Sequence, residues 1–341
     1  MTYSYVLTTG TYIAMDHTQI THSPLITAIE NFVEDTLTCQ RSWDRYWFDL
    51  VDLLQELQVQ YNPNLVYSAY NQAMIKLMLK LEQDLTAFQD IEDLTVKHLR
   101  FQDVKSSFKK FERQHEKEVQ QFKEDELKNR EKALEYTELL LEHYSKLSVI
   151  RIDFSYKQEK RTFIDITEFR EDIRKLLDRL QDRDRHFKDL QGYIYALEQG
   201  ALKGYHAHFL LFYDGSRVKF DRHIADCIID TWKEITNEVG IGYNSNTREN
   251  RKRYKATGND ALGRVKRGDQ DKKTSLLKIV RYFTEPTKTE QYLRVRVKNM
   301  QSFGHGKFRK PSRRTGADTI ERVRLNMRFE GGLRRPRREL N

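Results

Sequence analysis

The chain has 341 residues, 38% of them hydrophobic and 33% charged, with a formal net charge of +9. That length holds two domains, or one domain and a long extension. Charged residues interrupt every apolar run, which excludes a transmembrane helix; the start MTYSYVLTTGTYIAMD lacks the basic and apolar regions of a secretory signal; and Cys39 and Cys227 lie too far apart for a zinc ribbon. A reducing, cytoplasmic setting in a bacterium is the expectation.

The charge is divided unevenly. Residues 248–341 carry 28 Lys and Arg against 10 Asp and Glu, a net of +18, whereas residues 1–247 carry a net of −9. A basic end on an acidic body is the footprint of a polyanion partner, nucleic acid before an anionic membrane, because the basic region has no sustained amphipathic face.

In chain order, residues 1–24 form a polar, Thr-rich segment. Residues 25–147 are predicted to be helical. Ile29, Phe32, Val33, Leu37, Trp43, Trp47, Leu50 and Leu54 recur at helical spacing, Pro63 interrupts, and Ala73, Leu77 and Leu81 resume the pattern. From Phe101 to Leu147 a Glu/Lys/Gln-rich background carries Phe101, Val104, Phe108, Phe111, Val119 and Phe122 at three-four spacing with one register break. This pattern fits a coiled-coil arm that makes a homodimer, or equally a helix packed on its own chain.

A mixed α+β region is expected over residues 148–300. VIRIDFSYK alternates Ile150, Ile152 and Phe154 against Arg151, Asp153 and Ser155, the pattern of a half-buried strand. ITEFREDIRKLLDRL predicts an amphipathic helix, and a second helix is expected from Asp221. Between them GYIYALEQG and GYHAHFLLFYDG read as a hairpin. His206 and His208 then leave one sheet face, since alternate strand residues share a side. With the turn centred on Leu202, Glu198 lies directly across from His206. A carboxylate and two imidazoles on one face suit a divalent cation, although most strand histidines are ordinary core or surface residues. Phe154, Tyr205 and Tyr213 are candidates for base stacking, or core aromatics.

Residues 247–274, basic and without apolar periodicity, read as a mobile loop. SLLKIVRYFTE is a short helix ended by Pro286, QYLRVRVK is a strand, and residues 301–341 are a basic Arg/Gly-rich tail ordered by a partner. Arg251, Lys252, Arg253, Lys266, Arg267, Arg294 and Arg296 are the expected DNA contacts. No Ser-His-Asp or Cys-His set is evident. Tyr282, with Lys278 one turn before it, is a candidate nucleophile; its alternative is a core tyrosine.

The segments IRIDFSYK, EQGALKGYHAHFLLFYDG, KIVRYFTEPTKTEQYLRVRV and QSFGHGKFRK resemble the YagK/YfjJ-type family of prophage proteins and inovirus-type replication proteins. Those in turn resemble the HUH endonucleases, initiators of rolling-circle replication. The resemblance spans roughly residues 148–310. It implies an RRM-like antiparallel sheet with helices on one face. On the open face it implies a magnesium or manganese ion held by His206, His208 and Glu198, with Asp153 in the first motif beside it. It also implies that Tyr282 joins the 5′ end of nicked single-stranded or origin DNA and frees a 3′ hydroxyl. Such proteins carry a lysine three or four residues after the tyrosine. Here Glu285 and Pro286 stand there, Lys288 lies further on, and Tyr292 competes as nucleophile. A host helicase would supply unwinding, since no Gly-rich phosphate-binding Lys motif is present. A DNA-binding protein of a mobile element without catalysis is the alternative, and an assembling, nucleic-acid-packaging protein a further one.

Overall fold

The computed structural model describes residues 22–39, 43–84, 99–200, 203–288 and 291–308, together with two-residue strands at Leu7–Thr8 and Thr11–Tyr12. Leu202, at the expected turn, the tail beyond residue 308 and most of the first 24 residues lie outside the described residues.

The chain is mixed α+β with a helical N-terminal region. α1 (His22–Thr38), α2 (Trp43–Gln60), β1 (Leu65–Tyr67) and α3 (Ala69–Asp84) lead to the long α4 (Phe101–His143). Then follow β2 (Lys146–Tyr156), α5 (Ile166–Asp182), β3 (Leu190–Gly200), β4 (Gly204–Asp214), α6 (Asp221–Ile235), β5 (Gly240–Asn244), α7 (Arg248–Ala256), β6 (Gly263–Lys266), α8 (Gln270–Phe283), β7 (Val295–Val297) and β8 (Phe303–His305). The main sheet runs β8-β3-β4-β2-β5, and β6 pairs with the start of β2. Every pairing in it is antiparallel. β7 leaves that sheet to pair with β1.

Alternation along the strands builds two cores. Ile150, Ile152, Phe154, Tyr205, Phe209 and Tyr213 face α5, α6 and the N-terminal helices in one continuous hydrophobic cluster. The opposite face sends Leu147, Val149, Ile194, Leu210 and Phe212 against Tyr136 and Leu140 of α4 and Leu276, Val280 and Phe283 of α8. Helices therefore cover both faces, not one as expected. The sequence shows the apolar stripe of α5 plainly but hides α4 and α8 as covers, because each buries only part of its length. Phe154, Tyr205 and Tyr213 are 1%, 2% and 0% exposed and serve the core, so they offer no face to a base.

Local chemistry sets the helix ends. The Asp165 side chain accepts from the backbone N–H of Thr167 and Glu168 at the start of α5. Thr247 and Asp269 cap α7 and α8 in the same manner. The supposed loop 247–274 is thus helix, strand and helix. α7 buries only Asn250, so its hydrophobic periodicity is absent although its cap is sound. α4 is one uninterrupted helix of 43 residues. Val104 and Phe108 of the supposed seam enter the chain's own core, while Phe122 meets the Tyr292 ring at 5.5 Å.

Arg294, expected to meet DNA, is 8% exposed and donates from Nε to Glu30 Oε1 at 2.8 Å. Glu30 also accepts from Ser68 Oγ at 2.9 Å, tying α1 to β1 and the segment before β7. Removing one partner of a buried ion pair leaves the other charge uncompensated. Arg294→Ala should therefore cost about 3–5 kcal/mol in chemical denaturation. Joint replacement of Glu30 by Leu and Arg294 by Met should cost far less.

Candidate metal centre

The hairpin β3–β4 brings the site together. Its register pairs Glu198 with His206 and Ala196 with His208, and β2 adds Asp153 opposite His208. The strands close through Gly204, whose φ of +67° lies in the left-handed region that a side chain resists. Glu198, His206 and His208 offer ligand atoms that all lie within 4.8 Å of one another.

Glu198 is the hub. Its Oε2 stands 2.9 Å from His206 Nε2 and 3.1 Å from His208 Nε2. Its Oε1 accepts from Gln291 Nε2 at 3.0 Å and lies 3.4 Å from Lys288 Nζ. The carboxylate is 2% exposed. Burial pushes its pKa up, but the two imidazoles and Lys288 outweigh that and hold it well below the usual carboxylate range. His208 carries the matching shift. Burial works against its charge, yet Asp153 and Glu198 raise it to about 9. Asp153 falls to about 2, because contacts with His208 and Arg151 overcome desolvation.

These residues fit a divalent cation. Cis ligands of an octahedral ion with bonds of about 2.1 Å are about 3.0 Å apart, close to the 2.9 and 3.1 Å observed across Glu198. His208 Nδ1 is 2.7 Å from Asp153 Oδ1 but off the ring N–H direction, so this buried nitrogen has no aligned hydrogen bond. Two imidazoles and a carboxylate suit a first-row or alkaline-earth dication and leave coordination positions open.

Tyr282 sits beside this cluster at the end of α8, 49% exposed. Its neighbour Phe283 packs edge-on against His208, ring centroids 5.9 Å apart. Lys288 Nζ lies 3.1 Å from the Tyr282 ring centroid, and the Arg151 guanidinium lies 5.6 Å from it while chelating Asp153 through two contacts of 3.2 Å. Lys288 thus touches both Glu198 and Tyr282. Lys278 is exposed one turn earlier; the cation on the ring is Lys288, which chain reversal at Pro286 returns to the site. Tyr292 points elsewhere: its hydroxyl donates to Glu118 on α4 at 3.1 Å, and burial with that carboxylate pushes its pKa far up.

The basic residues divide. Lys252, Arg253, Lys266, Arg267 and Arg296 are exposed, with Arg267 donating to the His143 carbonyl at 2.8 Å. Arg251 is engaged by Asp260 at 3.3 Å and Asp221 at 4.0 Å. Sequence reasoning missed Arg151, Lys288 and Gln291 as members of the cluster. Arg151 shares the Asp153 face of β2 and was within reach of alternation; the other two depend on how the chain returns after Pro286.

A cavity of about 840 Å³ beside the cluster is lined by Gln291 and by Glu126 of α4. Glu126 is 3% exposed, and burial lifts its pKa to about 7 despite a hydrogen bond from Asn129. The folded chain then binds an extra proton between the unfolded carboxylate value and about 7, so stability declines as pH rises through that window. Glu126→Gln should remove this decline. Measured by urea denaturation at pH 5 and pH 8, the variant should gain on the parent by about 2–3 kcal/mol across the interval.

A family model described as the YagK/YfjJ C-terminal domain matches residues 109–306. The match starts inside α4, earlier than the resemblance at residue 148, and so takes in the part of α4 that packs on the sheet. Compared with curated proteins and with solved structures, the chain finds no significant match in either. Among the described residues no helix is long and apolar enough to cross a membrane. With more than half its length matched, this chain belongs to the YagK/YfjJ family.

Proposed function

We propose that the protein is a metal-dependent endonuclease that nicks single-stranded DNA through Tyr282, in a phage or prophage element, as HUH initiators of rolling-circle replication do. The observation that carries this reading is the link from Glu198 through Lys288 to the Tyr282 ring at the edge of the Glu198, His206 and His208 cluster. The adjacent antiparallel strands β3, β4 and β2, with the histidine pair on the middle one, support the RRM-like sheet of that class.

Glu198, His206 and His208 would hold magnesium or manganese, which supplies a charge that polarises the phosphodiester. The chain's own residues do the rest. Tyr282 Oη forms a bond to phosphorus as the bond from phosphorus to the 3′ oxygen breaks. The phenolic proton is given up to water and the departing 3′ oxygen takes one from water. The products are a 5′-phosphotyrosine and a 3′ hydroxyl. Lys288 and Arg151 place positive charge against the ring where phenolate character develops. Lys288 fills the place of the lysine that this family pattern puts nearer the tyrosine. Exposed Lys252, Arg253, Lys266, Arg267 and Arg296 would carry the DNA backbone.

A second reading, a DNA-binding protein without catalysis, draws on the internal balance of the cluster: Asp153 and Glu198 already meet His208, Arg151 and Lys288. The two separate in a nicking assay on single-stranded DNA with manganese, read as a protein band shifted by covalently bound DNA under denaturing conditions. The parent should give the band, Tyr292→Phe should keep it and Tyr282→Phe should lose it. Lys288→Ala should slow its appearance roughly 100-fold. Tight DNA binding with no adduct in any metal would favour the non-catalytic reading.

A further inference from the structure

Tyr243 has a placement that the sequence did not suggest. It lies on edge strand β5 directly opposite Asp153, and Asp153 lies opposite His208. Residues paired across antiparallel strands point to the same face. Tyr243 therefore stands on the metal-cluster face, two strands from His208, at about 10 Å. That is three nucleotides at the stacked rise of about 3.4 Å, and fewer in an extended strand. α4 and α8 cover the other end of this face but not this one: Tyr243 is 47% exposed and its strand neighbour Ile241 36%.

The ring is held still. Tyr243 Oη donates to Asn250 Oδ1 at 2.7 Å and accepts from Arg253 Nη2 at 3.0 Å. Both partners belong to α7, whose own start is capped by Thr247. A tyrosine fixed by its hydroxyl and free on its face suits stacking, because little side-chain entropy is lost on contact. Phe163 and Phe220 are more exposed, at 71% and 75%, but they have no hydroxyl to tether and lie off the strands of this face. On α7, Arg253 at the ring and the exposed Lys252 and Lys255 supply charge for a phosphate backbone.

We propose that Tyr243 is a base-stacking residue that seats a nucleotide of single-stranded DNA within three nucleotides of the phosphate at the Glu198, His206 and His208 cluster, with Arg253 fixing the ring. This rests on the nicking reading of the same site. Arg253 both orients the ring and presents charge to the strand, which makes α7 a recognition element and not a linker. The strand then lies across β5 and β2 toward Tyr282.

The test uses the full chain in EDTA, where no cleavage occurs, and a short oligothymidylate carrying one 2-aminopurine. Stacking quenches that probe. The parent protein should bind and quench. Tyr243→Ala should lose most of the quenching and bind roughly 5- to 150-fold more weakly, the range for loss of one stacked base. Tyr243→Phe should keep part of the quenching, since the ring face remains while its tether to Asn250 and Arg253 is lost. Unchanged quenching in Tyr243→Ala, with binding intact, would overturn the stacking role and leave the nicking proposal standing. If the parent fails to bind the probe at all, the stacking role and the nucleic-acid reading fall together.

Discussion

Everything at the centre of this molecule depends on one buried carboxylate. Placing a charge such as that of Glu198 away from water costs several kcal/mol unless close partners replace the lost hydration. The fold supplies those partners from three directions. β4 brings both imidazoles to one oxygen, the segment after α8 brings Lys288 and Gln291 to the other, and β2 steadies His208 through Asp153. Loss of any one of these partners would leave the carboxylate less compensated. The hairpin and the return of the chain after Pro286 meet at this one group.

The central part of this arrangement was legible in the residues themselves. Strand alternation and a turn between Gly200 and Gly204 were enough to place Glu198 opposite His206, because a one-residue slip would send both histidines to the wrong face. The register observed is the one expected. The amphipathic stripe of α5 and the start of α6 at Asp221 were equally plain. What alternation does not encode is which helix lies over which face. α4 buries residues near its two ends and leaves its middle largely in solvent, so its pattern fits an arm as well as a cover. α7 buries a single asparagine, and its helix was invisible to hydrophobic period although Thr247 marks its cap.

Basic residues were the least legible. Counting positive charge marked a basic end, but Arg294 in that end is a buried partner of Glu30, and Arg251 is held by Asp221 and Asp260. A guanidinium serves packing or phosphate according to whether carboxylates of its own chain reach it first, and that is a tertiary matter. The same holds for the aromatics. Tyr205 and Tyr213, nearest the histidines in sequence, fill the opposite core, whereas Tyr243, thirty-odd residues away, shares the histidine face. Faces of a sheet, and not proximity along the chain, decide which rings a ligand can meet.

Glu198, His206 and His208 are proposed to form a divalent metal site. The site is tested most directly by pulsed electron paramagnetic resonance on the protein loaded with one equivalent of manganese. Two directly coordinated imidazole nitrogens should couple to the manganese spin, one should vanish in His206→Gln, and the other in His208→Gln. Manganese bound without nitrogen coupling, or coupling indifferent to both substitutions, would contradict the account and leave the cluster a charge network that only stabilises the fold.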